Sequence, residues 1–165
     1  MMISEKMTAR LNEQVKNEFF SEWAYLAMAF SFETMGLKVF AARFYQQATE
    51  EHEHAMKITK YLVDQGAEVR LTALPEPKVA YSSAAEIIEA ALEHEKKITR
   101  QINEIASQAS AESDHATHQF IGWFVNEQVE EVASMTELLG MVKMATTPGQ
   151  ILMLEGRVYR MLGKS

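Results

Sequence analysis

The sequence predicts an all-α protein: an antiparallel four-helix bundle with one long crossover between the second and third helices and a short fifth helix. Only 7 glycines and 3 prolines interrupt the 165 residues, so few positions can break a helix. Apolar residues recur at intervals of three and four along four long segments. The connections between these segments alternate short, long and short, which is typical of a bundle with one crossover.

The first helix is predicted over residues 5–34, with Ser4 as its N-cap. Gly36 marks the turn that follows, because glycine readily adopts the left-handed conformation at a helix end. The second helix is predicted over residues 37–65 and stops at Gly66. Since the connection is short, the two helices should be antiparallel neighbours.

A long connection covers residues 67–82, where Pro75 and Pro77 prevent a helix and favour an extended chain. It is long enough to run the length of a helix, so the second and third helices can lie parallel. The segment Ser83–Glu86 has a capping-box pattern and begins the third helix, which should reach about Ala111.

The polar stretch Glu112-Ser113-Asp114 separates the third helix from a fourth, which continues to about Ala145. Thr147-Pro148 is typical of the N-cap and first residue of a short fifth helix, ending near Leu162. We expect this fifth helix to leave an apolar face for other copies, because the bundle is already complete. That face comprises Ile151, Leu152, Leu154, Val158 and Leu162. The whole chain, residues 1–165, is predicted to form one domain.

The composition excludes several classes of function. A net charge of −7 argues against a nucleic-acid-binding protein. The absence of cysteine excludes disulfides, thiolate zinc sites, iron–sulfur clusters and cysteine nucleophiles. The N-terminal residues have no apolar core, and no run of 18 apolar residues follows. The sequence therefore predicts a cytoplasmic protein with no membrane partner.

Each of the four long helices carries an acidic residue near the middle of its otherwise apolar seam. These residues are Glu18 and Glu22 in the first helix, Glu51 in the second, Glu95 in the third and Glu131 in the fourth. Antiparallel packing of equally long helices brings the helix centres to one level. Buried carboxylates at one level repel each other, at a cost of roughly several kcal/mol each. Either they are protonated, or cations lie among them.

The residue types favour particular metals. Glu51 and His54 form an E-x-x-H motif, which places both side chains on one face of the helix. Carboxylates with one imidazole suit iron or manganese, with zinc as a competitor. Di-iron carboxylate bundles have an inward-facing arrangement of this kind, in which two helices each supply a Glu and another helix supplies E-x-x-H.

Five elements in chain order make a resemblance specific. They are Glu18, the pair Glu50-Glu51, His54, Glu95 and the segment Asn126-Glu127-Gln128-Val129-Glu130-Glu131. These elements occur in the same order and at helical spacing in the bacterial non-haem ferritins, which the sequence resembles over essentially its whole length. The resemblance implies a ferritin-like fold, oxidation of Fe(II) by O2 or H2O2, and storage of Fe(III) mineral in a homo-oligomeric shell of 24 subunits.

The resemblance also implies roles for individual residues. Glu18, Glu51 and His54 would bind the first iron. Glu51 would bridge to a second iron, which Glu95 and Glu131 would hold.

Further roles follow from the same resemblance. Gln128 would orient a bound water or oxygen species, and Tyr25 would hydrogen-bond a ligand or supply one electron. Four residues match a third iron site: Glu50, Glu127, Glu130 and Glu131. The first three are open to a second interpretation, as ordinary solvated positions on helix faces.

Three positions depart from related patterns. Gln128-x-x-Glu131 replaces the second E-x-x-H of bacterioferritins, so the second iron has weaker ligands. His52 stands where bacterioferritins have a haem-binding methionine, so haem is not expected. Glu22 replaces a small residue and is either an additional ligand, an entry site or a solvent-facing side chain. Of the remaining histidines, His94 is expected at the surface.

Two alternative functions remain open from the sequence. A di-iron oxidase or peroxidase of the rubrerythrin type would share the metal ligands and store nothing. Rubrerythrins usually add a cysteine-rich domain, which is absent from this sequence. A metal-free structural bundle is the third interpretation, and an acidic residue in the middle of every seam argues against it.

Overall fold

The computed structural model describes residues 3–162, and these residues form five helices. The helices are α1 Glu5–Thr34, α2 Lys38–Asp64, α3 Ala84–Ala111, α4 His115–Met144 and α5 Pro148–Tyr159. The predicted all-α bundle with a short fifth helix is therefore confirmed. The bounds differ from the predicted ones mainly in α5, which ends three residues before the predicted end.

The helices begin at the predicted capping residues. The Ser4 hydroxyl accepts a hydrogen bond from the third residue of α1 at 3.0 Å, and Ser83 accepts one from the Glu86 amide at 3.2 Å. The Glu86 carboxylate, however, accepts from the Ser82 amide at 2.7 Å. In a capping box the Glu86 carboxylate would accept from the amide of the N-cap residue, Ser83. Here it accepts from the preceding amide, so this second hydrogen bond of the predicted box is displaced by one residue.

Contacts between helix ends define the topology. Helix α1 packs against α2, and α3 packs against α4. An ion pair of 3.1 Å between Arg10 and Glu104 joins the start of α1 to the end of α3, so these helices are antiparallel. Since α1 is also antiparallel to α2, α2 and α3 run parallel. The long connection between them is fastened to α1 by Asn12, whose amide donates to the Glu68 carbonyl at 2.9 Å.

Helix α5 packs against its own subunit. Val158 is fully buried in the apolar cluster at one end of the bundle, and Ile151 and Leu154 pack against that cluster. The Glu155 carboxylate accepts a hydrogen bond from the Val39 amide at 2.7 Å, at the start of α2. The expectation that the apolar face of α5 is left for other copies is therefore wrong for most of that face. The ends of α2 and α4 already cover it, while Leu152 remains exposed.

The apolar core consists of two clusters, one toward each end of the bundle. Phe32, Phe40 and Phe44 contribute to the first, and Leu11 and Ile102 to the second. Burying each such side chain stabilises the fold by about 1.5–3 kcal/mol. A layer of polar side chains separates the clusters. None of the five helices described is long and apolar enough to cross a membrane.

Candidate metal centre

The polar layer contains carboxylates from all four long helices. Its buried members are Gln14, Glu18, Ser21, Gln47, Glu51, His54, Glu95, Gln128 and Glu131. Glu18, Glu51, Glu95 and Glu131 lie near the middle of their helices, as the seams predicted, whereas Glu22 is not among the buried members. A layer with four buried carboxylates and one imidazole is electrostatically unfavourable without protons or cations.

Three of these side chains form a compact set of possible metal ligands. Glu18, Glu51 and His54 each offer one ligand atom, and these atoms lie within 4.8 Å of one another. All three side chains are buried. Nδ1 of His54 lies 3.6 Å from Oε2 of Glu51, which is the geometry that E-x-x-H gives within one turn of α2.

Glu95 and Glu131 complete the layer outside this compact set. The Tyr25 hydroxyl donates a hydrogen bond to Oε1 of Glu95. The Gln128 amide donates to Oε2 of Glu95 at 3.0 Å and to the Thr99 hydroxyl at 3.3 Å. In this structure Tyr25 and Gln128 therefore hold the Glu95 carboxylate from both sides.

Burial raises the pKa values of all four carboxyl groups, and repulsion between carboxylates adds to the rise for Glu18, Glu51 and Glu131. Desolvation is the largest cause for Glu18, Glu51 and Glu95, and the charges of Glu95 and Glu131 add to the rise for Glu51. Desolvation, followed by the charge of Glu95, raises the pKa of Glu131 to about 8. Near neutral pH, the layer without metal therefore keeps protons that exposed glutamates would lose.

Two polar atoms in the layer support a cation there. Oε2 of Glu18 and Oε1 of Gln47 are buried and have no hydrogen-bond partner among residues 3–162. A buried acceptor without a partner destabilises a protein by roughly 1–3 kcal/mol, and binding a cation relieves this cost. The donor set of carboxylate oxygens and one imidazole nitrogen fits iron or manganese.

Two glutamines that support the layer were not identified as site residues from the sequence. Gln14 donates to Oε1 of Glu18 at 2.7 Å, and Gln47 donates to Oε1 of Glu51 at 3.2 Å. Each glutamine precedes its glutamate by four residues, a spacing that places the two side chains on one helix face. A glutamine four residues before a mid-seam glutamate is a sequence pattern from which Gln14 and Gln47 could have been predicted as supporting residues.

The residues predicted for a third iron site lie around one cavity of about 300 Å³. Its lining residues are Arg43, Glu50, Glu127, Glu130, Glu131, Ser134, Glu137 and Met161. Glu50 and Glu127 are half-buried and Glu130 is exposed. The cavity contains Glu131, so it adjoins the carboxylate layer.

Two other predicted positions have specific partners. Glu22 lies partly exposed and its carboxylate is 3.0 Å from Nδ1 of His52, outside the compact set of ligands. The expectation that His94 lies at the surface is wrong. Its ring is half-buried, with Nε2 2.7 Å from the Ser21 hydroxyl and an edge contact to Tyr25, and burial lowers its pKa to about 4.

Comparisons with known proteins identify the family of this chain. The family model of the ferritin-like domain matches residues 8–145. Ferritin BfrB of Mycolicibacterium smegmatis is 37% identical over 137 residues, which cover 83% of this chain and 76% of the relative. A bacterial non-heme ferritin of Staphylococcus aureus is 38% identical over 132 residues, covering 80% of each chain. The crystal structure of an open pore ferritin from the archaeon Archaeoglobus fulgidus superposes with a TM-score of 0.92, at 36% identity, over 96% of this chain and 97% of that one.

Proposed function

Because this chain belongs to the ferritin family, we propose that it stores iron and that its carboxylate layer oxidises ferrous iron before storage. The observation that carries the proposal is the compact set of Glu18, Glu51 and His54 inside a layer of raised-pKa carboxylates. Ferrous iron is the substrate, and dioxygen or hydrogen peroxide accepts its electrons.

We propose ligand roles that the positions of the side chains support. Glu18, Glu51 and His54 bind one ferrous ion, and Glu51 also serves a second ion bound by Glu95 and Glu131. The distances among the first three side chains support the first site. The charges of Glu95 and Glu131 act on Glu51, which supports a second cation close to it.

Tyr25 and Gln128 act on the second iron through Glu95. Their hydrogen bonds fix the orientation of this carboxylate before the metal arrives. When iron binds, the amide of Gln128 is close enough to Glu95 to orient a bound water or oxygen species. We propose that the Tyr25 hydroxyl hydrogen-bonds a ligand or supplies one electron, and its contact with Glu95 supports this role.

Binding of two ferrous ions displaces the protons that the layer keeps at neutral pH. Each cation stabilises the ionised carboxylates and so offsets the desolvation and repulsion that raise their pKa values, and protons are released to solvent. Gln128-x-x-Glu131 stands where bacterioferritins have a second E-x-x-H, so a neutral amide replaces the glutamate and Glu131 replaces the histidine. We propose that the second iron is consequently held weakly and moves, after oxidation, through the cavity lined by Glu50, Glu127 and Glu130 to the store.

The experiment that tests storage combines particle size with iron content. After aerobic addition of ferrous ions in large excess, we expect a large closed particle that retains many ferric ions per subunit. Light scattering and metal analysis of the purified particle measure both quantities. A monomer or dimer that oxidises iron without retaining it would contradict storage and favour a rubrerythrin-like oxidase or peroxidase.

The two iron positions should respond differently to loss of a ligand. We expect Glu131→Ala to keep one ferrous ion bound and to oxidise it slowly, because Glu131 is not a ligand of the first position. His54→Ala should instead lose tight binding at the first position, since its imidazole is the only nitrogen ligand in the layer. Anaerobic ferrous titration and stopped-flow oxidation measure both effects. Equal stoichiometry in the two variants would contradict the assignment.

We propose 24 subunits per shell, one domain over residues 1–165, a cytoplasmic location and no haem. The ferritins of similar structure support a homo-oligomer. Electron microscopy of the assembled particle counts the subunits directly.

A further inference from the structure

Arg43 is the one basic residue among the described side chains that line the acidic cavity. It lies on α2, two turns before Glu50, and only 7% of its surface is exposed. Arginine stays charged at every pH that proteins tolerate. The cavity therefore contains a permanent positive charge among its carboxylates.

The contacts of Arg43 leave part of its guanidinium unused. Nη2 donates to the Ser134 hydroxyl at 3.4 Å, and Nη1 lies 3.9 Å from Oε2 of Glu50. Nη1 is buried and has no hydrogen-bond partner among residues 3–162. Arginine–carboxylate pairs frequently form two parallel hydrogen bonds, and Arg43 and Glu50, at 3.9 Å, do not form such a pair. The positive charge of Arg43 is therefore not paired with one carboxylate at short range, and it acts on the whole cavity.

We propose that Arg43 is the resident counter-ion of this cavity and that it lowers the affinity of the cavity for metal cations. This inference rests on the proposed function. The guanidinium repels an entering cation and also competes with it for the Glu50 carboxylate. Iron therefore passes through the cavity and does not remain bound there.

Charge alone gives the expected size of the effect. A unit charge a few ångströms from the metal, in surroundings of intermediate dielectric, changes affinity by at least about tenfold. Removing it should turn a weak transit position into a tight binding site. Lysine at the same position would keep the charge and most of the effect.

The test uses zinc, because zinc binds carboxylates and imidazole without changing oxidation state. The metal-free parent, Arg43→Met and Arg43→Lys proteins are titrated with zinc by calorimetry, and zinc positions are located by anomalous diffraction. In Arg43→Met we expect one additional zinc in the cavity, bound at least about tenfold more tightly than in the parent. Arg43→Lys should resemble the parent.

Two controls make the result specific. Arg10→Met removes an exposed arginine far from the cavity and should not change zinc binding there. Arg43→Gln is a second neutral variant that retains a donor for Ser134, should Arg43→Met fail to assemble. If neither neutral variant binds zinc in the cavity more tightly, or if Arg43→Lys behaves like them, Arg43 is not the counter-ion. Zinc bound at Glu18, Glu51 and His54 in the same titration tests the proposed function separately, because its absence counts against that function alone.

Discussion

Replacing Glu51 by alanine should abolish the fast phase of iron oxidation, with a rate roughly a hundredfold or more below that of the parent. Transfer of two electrons to one oxidant needs two ferrous ions held together, and Glu51 is the carboxylate that serves both proposed positions. It is also the carboxylate whose pKa responds to Glu95 and Glu131. The measurement is stopped-flow oxidation after addition of two ferrous ions per subunit.

The control for this variant is Glu53→Ala. Glu53 lies on the same helix, two residues later, and is exposed, so the change in charge and helix composition is the same. It should oxidise iron at the parent rate. If Glu51→Ala also keeps the parent rate, or if anaerobic crystals soaked in ferrous iron show the metals away from Glu51, the proposed site is wrong.

Replacing Glu18, Glu95 and Glu131 together by glutamine should remove iron oxidation and leave the metal-free fold at least as stable as the parent at pH 8. The amides have nearly the volume of the carboxyl groups and cannot ionise, so the mutual repulsion in the layer disappears. The large effect is therefore expected on activity, while the free energy of unfolding without metal should not fall.

The pH dependence distinguishes the parent from this variant. The folded pKa values of these carboxyl groups lie above their unfolded values, and that of Glu131 is about 8. Between pH 5 and pH 8 the folded state therefore binds more protons than the unfolded state. The parent without metal should lose stability as pH rises through this range, and the proton held by Glu131 alone should contribute about 1 kcal/mol per pH unit. The triple variant should show a shallower decline. Chemical unfolding across this pH range measures both slopes.

The matched control replaces three exposed glutamates, Glu13, Glu53 and Glu76, by glutamine. It makes the same change in net charge without touching the layer, so its pH dependence should follow that of the parent. A triple layer variant much less stable than both proteins at pH 8 would mean that the carboxylates are structural hydrogen-bond partners. The metal-free bundle would then be the better interpretation.

Apolar periodicity was sufficient to predict the helices and the level of the carboxylate layer. The helices begin at Ser4 and Ser83 as their capping chemistry requires, and the two apolar clusters lie on either side of the polar mid-seam residues. Within one helix, the spacing of Glu51 and His54 also determines that they share a face. These features depend on neighbours three or four residues apart, so the sequence by itself determined them.

Contacts between helices were decided by the tertiary structure alone. The sequence gives no distance between residues on different helices, so it could not show that Tyr25 and Gln128 hold Glu95, or that Glu22 pairs with His52. Two expectations failed for this reason. His94 is half-buried because α1 covers it, and the apolar face of α5 packs on its own bundle. The position of the buried Arg43 charge in the acidic cavity likewise depends on the packing of α2 against α4. Helical periodicity determines which face of its own helix a side chain occupies, but it does not determine the partners of that side chain on the next helix.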